Sequence, residues 1–459
     1  MSPLRTLQGI WAAGELPPAA LAHAKLAGAD PVLPSSFAVG TAAQTTIAAA
    51  ALAACELGYA RGQARQNVSV DMQHAALECF GWFSLDGRVP EPRDKLSNLY
   101  RCADGWVRIH ANLPHHREGA LRLLRLTPQH AERADVERAM LAWKALDFEQ
   151  TAADAGLVVA ALRSFAEWDA HPQGRAVAAL PLLQFERIGD APPRTLPALR
   201  ANDRPLTGLR VLDLTRILAG PVCGRALAAY GAEVMLLNSP HLPNIESIAD
   251  TSRGKLSAYV DLQTSDGRAA LERLLSDAHV FVQGYRPGAL DALGFSPQMI
   301  AARRPGIVCV SLSAYGQTGP WRARRGFDSL VQTATGFNQA EAEAAGSATP
   351  KPLPMQILDY ATGHLMAFAA AAALHRQALE GGSWHVRLSL AQTGHWLRNL
   401  DRVANGFATA LPDRTAFLET ATSGFGELVA LRHSAVLERT PTLWAHPSMP
   451  PGSHLPLWP

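Results

Sequence analysis

The sequence predicts an α/β fold built on a parallel sheet. Through the second half of the chain, short apolar runs alternate with helical stretches, the signature of strands joined by crossover helices. The chain has 459 residues, of which 48% are hydrophobic and 18% charged, enough to bury a large core. A break at residues 189–206, GDAPPRTLPALRANDRPL, is proline-rich and lacks apolar periodicity. It divides the chain into residues 1–204 and 205–459.

Taken in order, 209–214 reads as a strand, 224–230 as the start of a helix, and 234–237 as the next strand. A strand at 257–262 precedes a helix over 266–276. Strands at 279–283 and 307–312 flank a helix at 297–303. An Ala-rich helix follows Asp359. An echo links residues 48–75 to 370–393: each has an Ala-rich helix, a polar turn, an alternating strand (67–71 and 385–389) and a helix start.

Charge and cysteines narrow the function. A net charge of +2, from 42 basic and 40 acidic residues, gives no reason to expect nucleic acid or a membrane surface as partner. The five cysteines, Cys55, Cys79, Cys102, Cys223 and Cys309, are spread out and form no C-x-x-C pair, which predicts a reduced, cytoplasmic protein. No secretory leader is expected, because Glu15 follows only a weak apolar patch. The apolar runs at 46–55 and 365–374 are too short for a bilayer core of roughly 30 Å.

Several segments have both an ordinary and a chemical reading. VLDLTRILAGP, residues 211–221, is a strand–loop–helix entry, where helix N–H groups favour an anion such as pyrophosphate. A dinucleotide fingerprint is not met: only Gly220 and Gly224 are present, and Asn238 stands where an acid would bind ribose. Arg253 and Lys255 alone read as a solvated basic pair. Residues 283–295, QGYRPGALDALGF, read as a strand end, a Pro-Gly turn and a short helix. Asp359, taken alone, reads as a helix N-cap. His110, His115 and His116 lack metal-ligand spacing and read as solvated surface, so no metal is expected.

Segments 206–239, 283–295, 311–320 and 353–364 together resemble the class III CoA-transferases, whose superfamily also holds the 2-methylacyl-CoA racemases. The resemblance implies a Rossmann-like parallel-sheet domain with a smaller α+β domain. It makes Asp359 the nucleophile, ionised near its reference pKa of about 3.9 and needing no general base. It implies coenzyme A contacts at Arg216, Ala219, Lys255, Val260, Gly284, Tyr285, Arg286, Leu293 and Tyr315. Where members often carry a basic residue, this chain has Ala292, so Arg286 or Arg216 is the expected substitute. Backbone donors near Tyr360–Gly363 are expected to hold the oxyanion. Coenzyme A enters as a substrate moiety with no tightly bound cofactor. Acyl-CoA and a carboxylic acid are the expected partners, and a homodimer the expected assembly.

The family order is reversed. Residues 1–204, with DGWVRI at 104–109 and SFAEWDAHPQ at 164–173, resemble the latter portion of a family unit, small domain included. Residues 205–459 resemble the earlier portion, with the CoA site and Asp359. The first portion has Ser36, Phe37 and Ala38 around the place of the aspartate, so one acylation site per chain is expected. Phe327 stands where the racemases carry a proton-transferring histidine, which disfavours a racemase. Asp328 is expected to be structural. The transferases' closing glycine run is absent, and Ser423–Gly426 is not assigned that role. A non-catalytic CoA-binding protein is a further alternative.

Overall fold

The computed structural model describes residues 2–91 and 93–459. Its central sheet has seven strands, in the order Lys255–Tyr259, Glu233–Asn238, Arg210–Leu214, Val280–Gln283, Val308–Ser313, Ser383–Ser389 and Gln184–Gly189. The first six run parallel, and Gln184–Gly189 closes the edge antiparallel. Strand periodicity sorts side chains to the two faces. Val211 joins the core packed by the helices Ala219–Ala229 and Ile357–Glu380. Leu212 and Leu214 join the opposite core, under Ser265–Leu275 and Pro297–Arg303. Burial on both faces explains why these strands read as apolar runs.

The long helices Val39–Ala60 and Ile357–Glu380 pack against each other, and both are buried along most of their length. Their alanines let the backbones approach closely. Ile357–Glu380 is long and apolar enough to cross a membrane by length and composition, but the whole of that apolar stretch is buried in the core.

The sequence echo corresponds to Val39–Ala60, Val68–Asp71 and Met72–Phe80 against Ile357–Glu380, Ser383–Ser389 and Leu390–Arg398. Residues 36–38 do not occupy the aspartate's place, because the first helix begins only at Val39. Counted from the helix start, that place belongs to Thr41, whose N–H and hydroxyl both donate to Asp30 Oδ2, at 2.8 and 2.7 Å.

A smaller α+β unit holds the antiparallel strands Asn98–Arg101, Trp106–Ile109 and Val159–Ala161. Val107 and Ile109 face its own core with Tyr100 and Phe148. The intervening Arg108 therefore faces the other way, and its Nε donates to Thr333 Oγ1 at 3.0 Å.

The two portions separated by the Pro-rich linker interleave rather than standing apart. Gln184–Gly189 completes the sheet of the second portion. Ala435–Leu437 in turn pairs with Val68–Asp71 of the first, and Gly426–Leu431 pairs with Phe83–Leu85. Strands of each portion thus complete sheets of the other within one chain.

Candidate active site

Asp359 is the third residue of the helix Ile357–Glu380, and Gln356 is the N-cap. The expectation of an aspartate N-cap is thereby corrected. The capping acceptor comes from Asp328 instead, whose Oδ2 accepts the Asp359 N–H at 2.9 Å. Asp328 is structural in that sense, as its position suggested. Gly363, one turn beyond Asp359, seats this helix on another. A Cβ there would lie 2.5 Å from the Ala219 carbonyl oxygen and 2.8 Å from Val222 Cβ. The contact draws Asp359 toward the loop of residues 216–218, where Ile217 has φ 76°. A β-branched side chain rarely adopts that backbone, and such strain is held where the surroundings enforce it.

Two cavities meet at Asp359. The larger, about 630 Å³, is walled by Phe80, Trp82, Phe83 and Met355 and reaches Arg108 and His110. The smaller, about 360 Å³, is lined by Arg216, Gly284, Tyr285, Arg286 and Arg325. Ile217, Leu218, Phe327 and Asp359 border both. Each cavity draws on both portions of the chain.

Burial sets the charge state. Asp328 is 1% exposed, and its carboxylate also accepts from Gln332 Nε2. Gln356, its amide oriented to satisfy both neighbours, donates to Asp328 Oδ1 at 2.8 Å and accepts from Arg93 Nη2 at 2.9 Å. Burial nonetheless pushes Asp328 up to about 6. Asp359 is raised well above the usual carboxylate range, first by burial and then by the charge of Asp328. No side-chain or backbone donor among the described residues offsets this. An aspartate ionised near its reference value is therefore corrected: burial and the charge of Asp328 make Asp359 hold its proton to higher pH than a free aspartate does. The expected backbone oxyanion donors are also committed. Tyr360 N–H bonds the Gln356 carbonyl at 3.0 Å, and the following N–H groups belong to the helix ladder.

Of the residues expected to touch coenzyme A, Arg216, Ala219, Gly284, Tyr285 and Arg286 line the smaller cavity. Four others do not reach it. Lys255 is fully buried, its Nζ donating to Asp213 Oδ2 and to the Pro221 carbonyl, both at 2.8 Å. Val260 belongs to the apolar core beneath the Ser265–Leu275 helix, and Leu293 packs against that core. Tyr315 is 2% exposed, its ring edge-on to Trp321.

The structure also gathers residues that the sequence reading left on the surface. His110 stacks on Phe327 with ring centroids 4.0 Å apart, and burial pushes its imidazole down to about 3. His116 is buried and pushed down to about 4, again chiefly by burial. The solvated reading is corrected for both, while His115 is exposed. His110 directly follows the small unit's central strand, and His115 and His116 lie in the first turn of the helix Pro114–Leu123; local pattern gives neither element the surface it faces.

Residues 206–416 match CoA-transferase family III. The chain is 35% identical over 199 residues to an acetyl-coenzyme A transferase of Hypoxylon pulicicidum, covering 42% of this chain and 34% of that protein. It is 35% identical over 189 residues to a probable fatty acyl-CoA transferase of Mycobacterium tuberculosis, covering 38% of this chain and 48% of that one. An acyl-CoA transferase of Gibberella moniliformis is 28% identical over 390 residues, covering 75% of this chain and 68% of its own length. A crystal structure of the mycobacterial protein aligns with TM-score 0.41 at 33% identity, over 43% of this chain and 56% of that chain. The chain thus spans a third to a half of the length of the first two relatives. The matched segment holds Asp359, Asp328, the loop at Ile217 and the basic wall of the smaller cavity; over residues 206–416, the chain is similar to CoA-transferase family III.

Proposed function

We propose that the protein transfers coenzyme A from an acyl-CoA thioester to a carboxylic acid, with Asp359 as nucleophile. The observation that carries this reading is Asp359 itself: a buried carboxyl at the junction of two cavities, inside the family-matched segment. Its carboxylate attacks the thioester carbonyl, giving an acyl-aspartyl anhydride and free CoA thiolate. The thiolate attacks the aspartyl carbonyl, releasing the donor acid and leaving an aspartyl-CoA thioester. The acceptor carboxylate displaces the thiolate to form a second anhydride. The thiolate then attacks the acyl carbonyl of that anhydride, giving the new thioester and freeing Asp359.

The smaller cavity, with Arg216, Arg286 and Arg325, suits the phosphates of coenzyme A, and the larger suits the acyl group. A buried site serves this chemistry because water would hydrolyse the anhydride. Intact mass measured after incubation with a pool of acyl-CoA thioesters tests the proposal. An acyl or CoA adduct on the Asp359 peptide supports it; turnover without any such adduct, or a fully active Asp359→Ala enzyme, sinks it. A reducing compartment and a homodimer belong to the same proposal. The five cysteines are all buried and unpaired, and light scattering reads the assembly.

One observation favours a second reading, an acyl-CoA racemase. His110 stacks on Phe327 and returns an imidazole to the cavity where a phenylalanine had removed one. Deuterium uptake at the α-carbon of an acyl-CoA, lost in His110→Ala, would favour it over transfer.

A further inference from the structure

Arg108 differs from the other buried cations of the chain. Arg225 pairs with Asp250 and Glu78, Arg253 with Asp250 and Glu419, Arg163 with Glu149, and Lys255 with Asp213. Arg61 donates to three backbone carbonyls. Arg108, 3% exposed, has one neutral partner among the described residues, the Thr333 hydroxyl on its Nε. Its two terminal amino groups have none, and the residue lines the larger cavity. A buried guanidinium without a hydrogen-bonded anion is costly, and a ligand that brings one lowers that cost.

Of the acids near Arg108, Asp328 attracts it without hydrogen-bonding to it, and Glu91, on the cavity lining, is exposed. Asp328 spends its oxygens on Asp359 N–H, Gln332 and Gln356. At the cavity rim, Asp94 faces Arg117 at 3.6 Å and Glu246 faces Arg88 at 2.6 Å. Phe80, Trp82 and Phe83 give the same cavity an apolar wall. We infer that the larger cavity takes an acyl group with a hydrophobic body and a second carboxylate, and that Arg108 binds that carboxylate. The planar fork of the guanidinium matches a carboxylate with two parallel hydrogen bonds. The inference rests on the CoA-transferase reading for which cavity holds the acyl group. A phosphate of coenzyme A is the other source of such an anion, and the smaller cavity already supplies several arginines for it.

The test is direct binding to the full chain, with 3-phenylglutarate and 3-phenylbutyrate, which differ by one carboxylate, and with coenzyme A alone. The wild type is expected to bind the diacid about ten-fold more tightly than the monoacid. Arg108→Met is expected to remove that preference and leave coenzyme A affinity unchanged. Equal affinity for the two acids overturns the inference. So does an Arg108→Met protein that loses coenzyme A in step with the diacid, which would assign Arg108 to a phosphate. Should Arg108→Met not fold, Arg108→Lys keeps the charge but not the fork, and an unchanged preference in that variant overturns the inference. An Asp359 adduct without diacid preference sinks this inference alone. Diacid preference without any adduct sinks the transfer reading and leaves the carboxylate site standing.

Discussion

The main-chain N–H of Asp359 donates to Asp328 Oδ2 at 2.9 Å, so the residue that caps the helix of Asp359 also opposes the charge of Asp359. A raised Asp359 stays protonated at pH values where a free aspartate is ionised. The single-turnover acylation rate should therefore climb with pH and level off above the raised value. Asp328→Asn keeps an oxygen to accept the N–H and removes the negative charge, so the rise should move to lower pH. A stopped-flow pH series on both proteins reads this, and an unmoved profile would separate the two carboxyls.

The same shift has a stability consequence with a definite sign. An unfolded aspartate ionises near 3.9, whereas the folded Asp359 holds its proton to higher pH. Stability is thus lost as pH rises from about 4 toward the folded value. Asp359→Asn escapes that loss. Its Tm should exceed the wild type's at pH 7 to 8, with the gain shrinking as pH approaches 4. Calorimetry across that range decides it.

Lys255 and Asp213 form a fully buried ion pair at 2.8 Å. Lys255→Met leaves Asp213 uncompensated and should cost about 3–5 kcal/mol in denaturant unfolding. A loss of coenzyme A affinity at unchanged stability would instead return Lys255 to the site.

Arg286 lines the smaller cavity. Arg286→Ala should raise the KM for acyl-CoA esters about ten-fold, the size of one charge-assisted hydrogen bond. An unchanged KM removes it from the site.

Glycine to alanine inside a helix ordinarily stabilises by roughly 1 kcal/mol. At Gly363 the added Cβ would meet the Ala219 carbonyl at 2.5 Å, and backbone yields little. Gly363→Ala should therefore destabilise by about 1–3 kcal/mol and slow acylation by shifting Asp359. A stabilised variant would show that the helices do not rely on that contact.

The second portion's strands were legible because sheets buried on both faces leave continuous apolar runs, and the observed boundaries lie within a few residues of the expected ones. Gln184–Gly189 was not, since a half-buried edge strand with mixed residues has no periodic signal and its partner lies far along the chain. Lys255 was misread for a related reason: a lysine beside a strand says nothing of an aspartate on another strand of the same sheet. Asp359 was found by the motif around it, yet its cap was invisible because Asp328 reaches it across the fold. Arg108 and His110 were missed as site residues because local pattern gives a strand its two faces but not its neighbours.

The pairing of Val39–Ala60 with Ile357–Glu380 bears on how the chain is made. At ribosomal rates of about 5–20 residues per second, the first helix emerges on the order of tens of seconds before its partner exists. Through that interval a helix buried almost throughout in the finished fold can pack on Pro3–Ala13, Met72–Phe80 and Val68–Asp71 but lacks its most extensive partner. The nascent first portion is therefore a natural client for chaperones, and synthesis slowed between the two helices should lower the yield of folded protein more than slowing elsewhere.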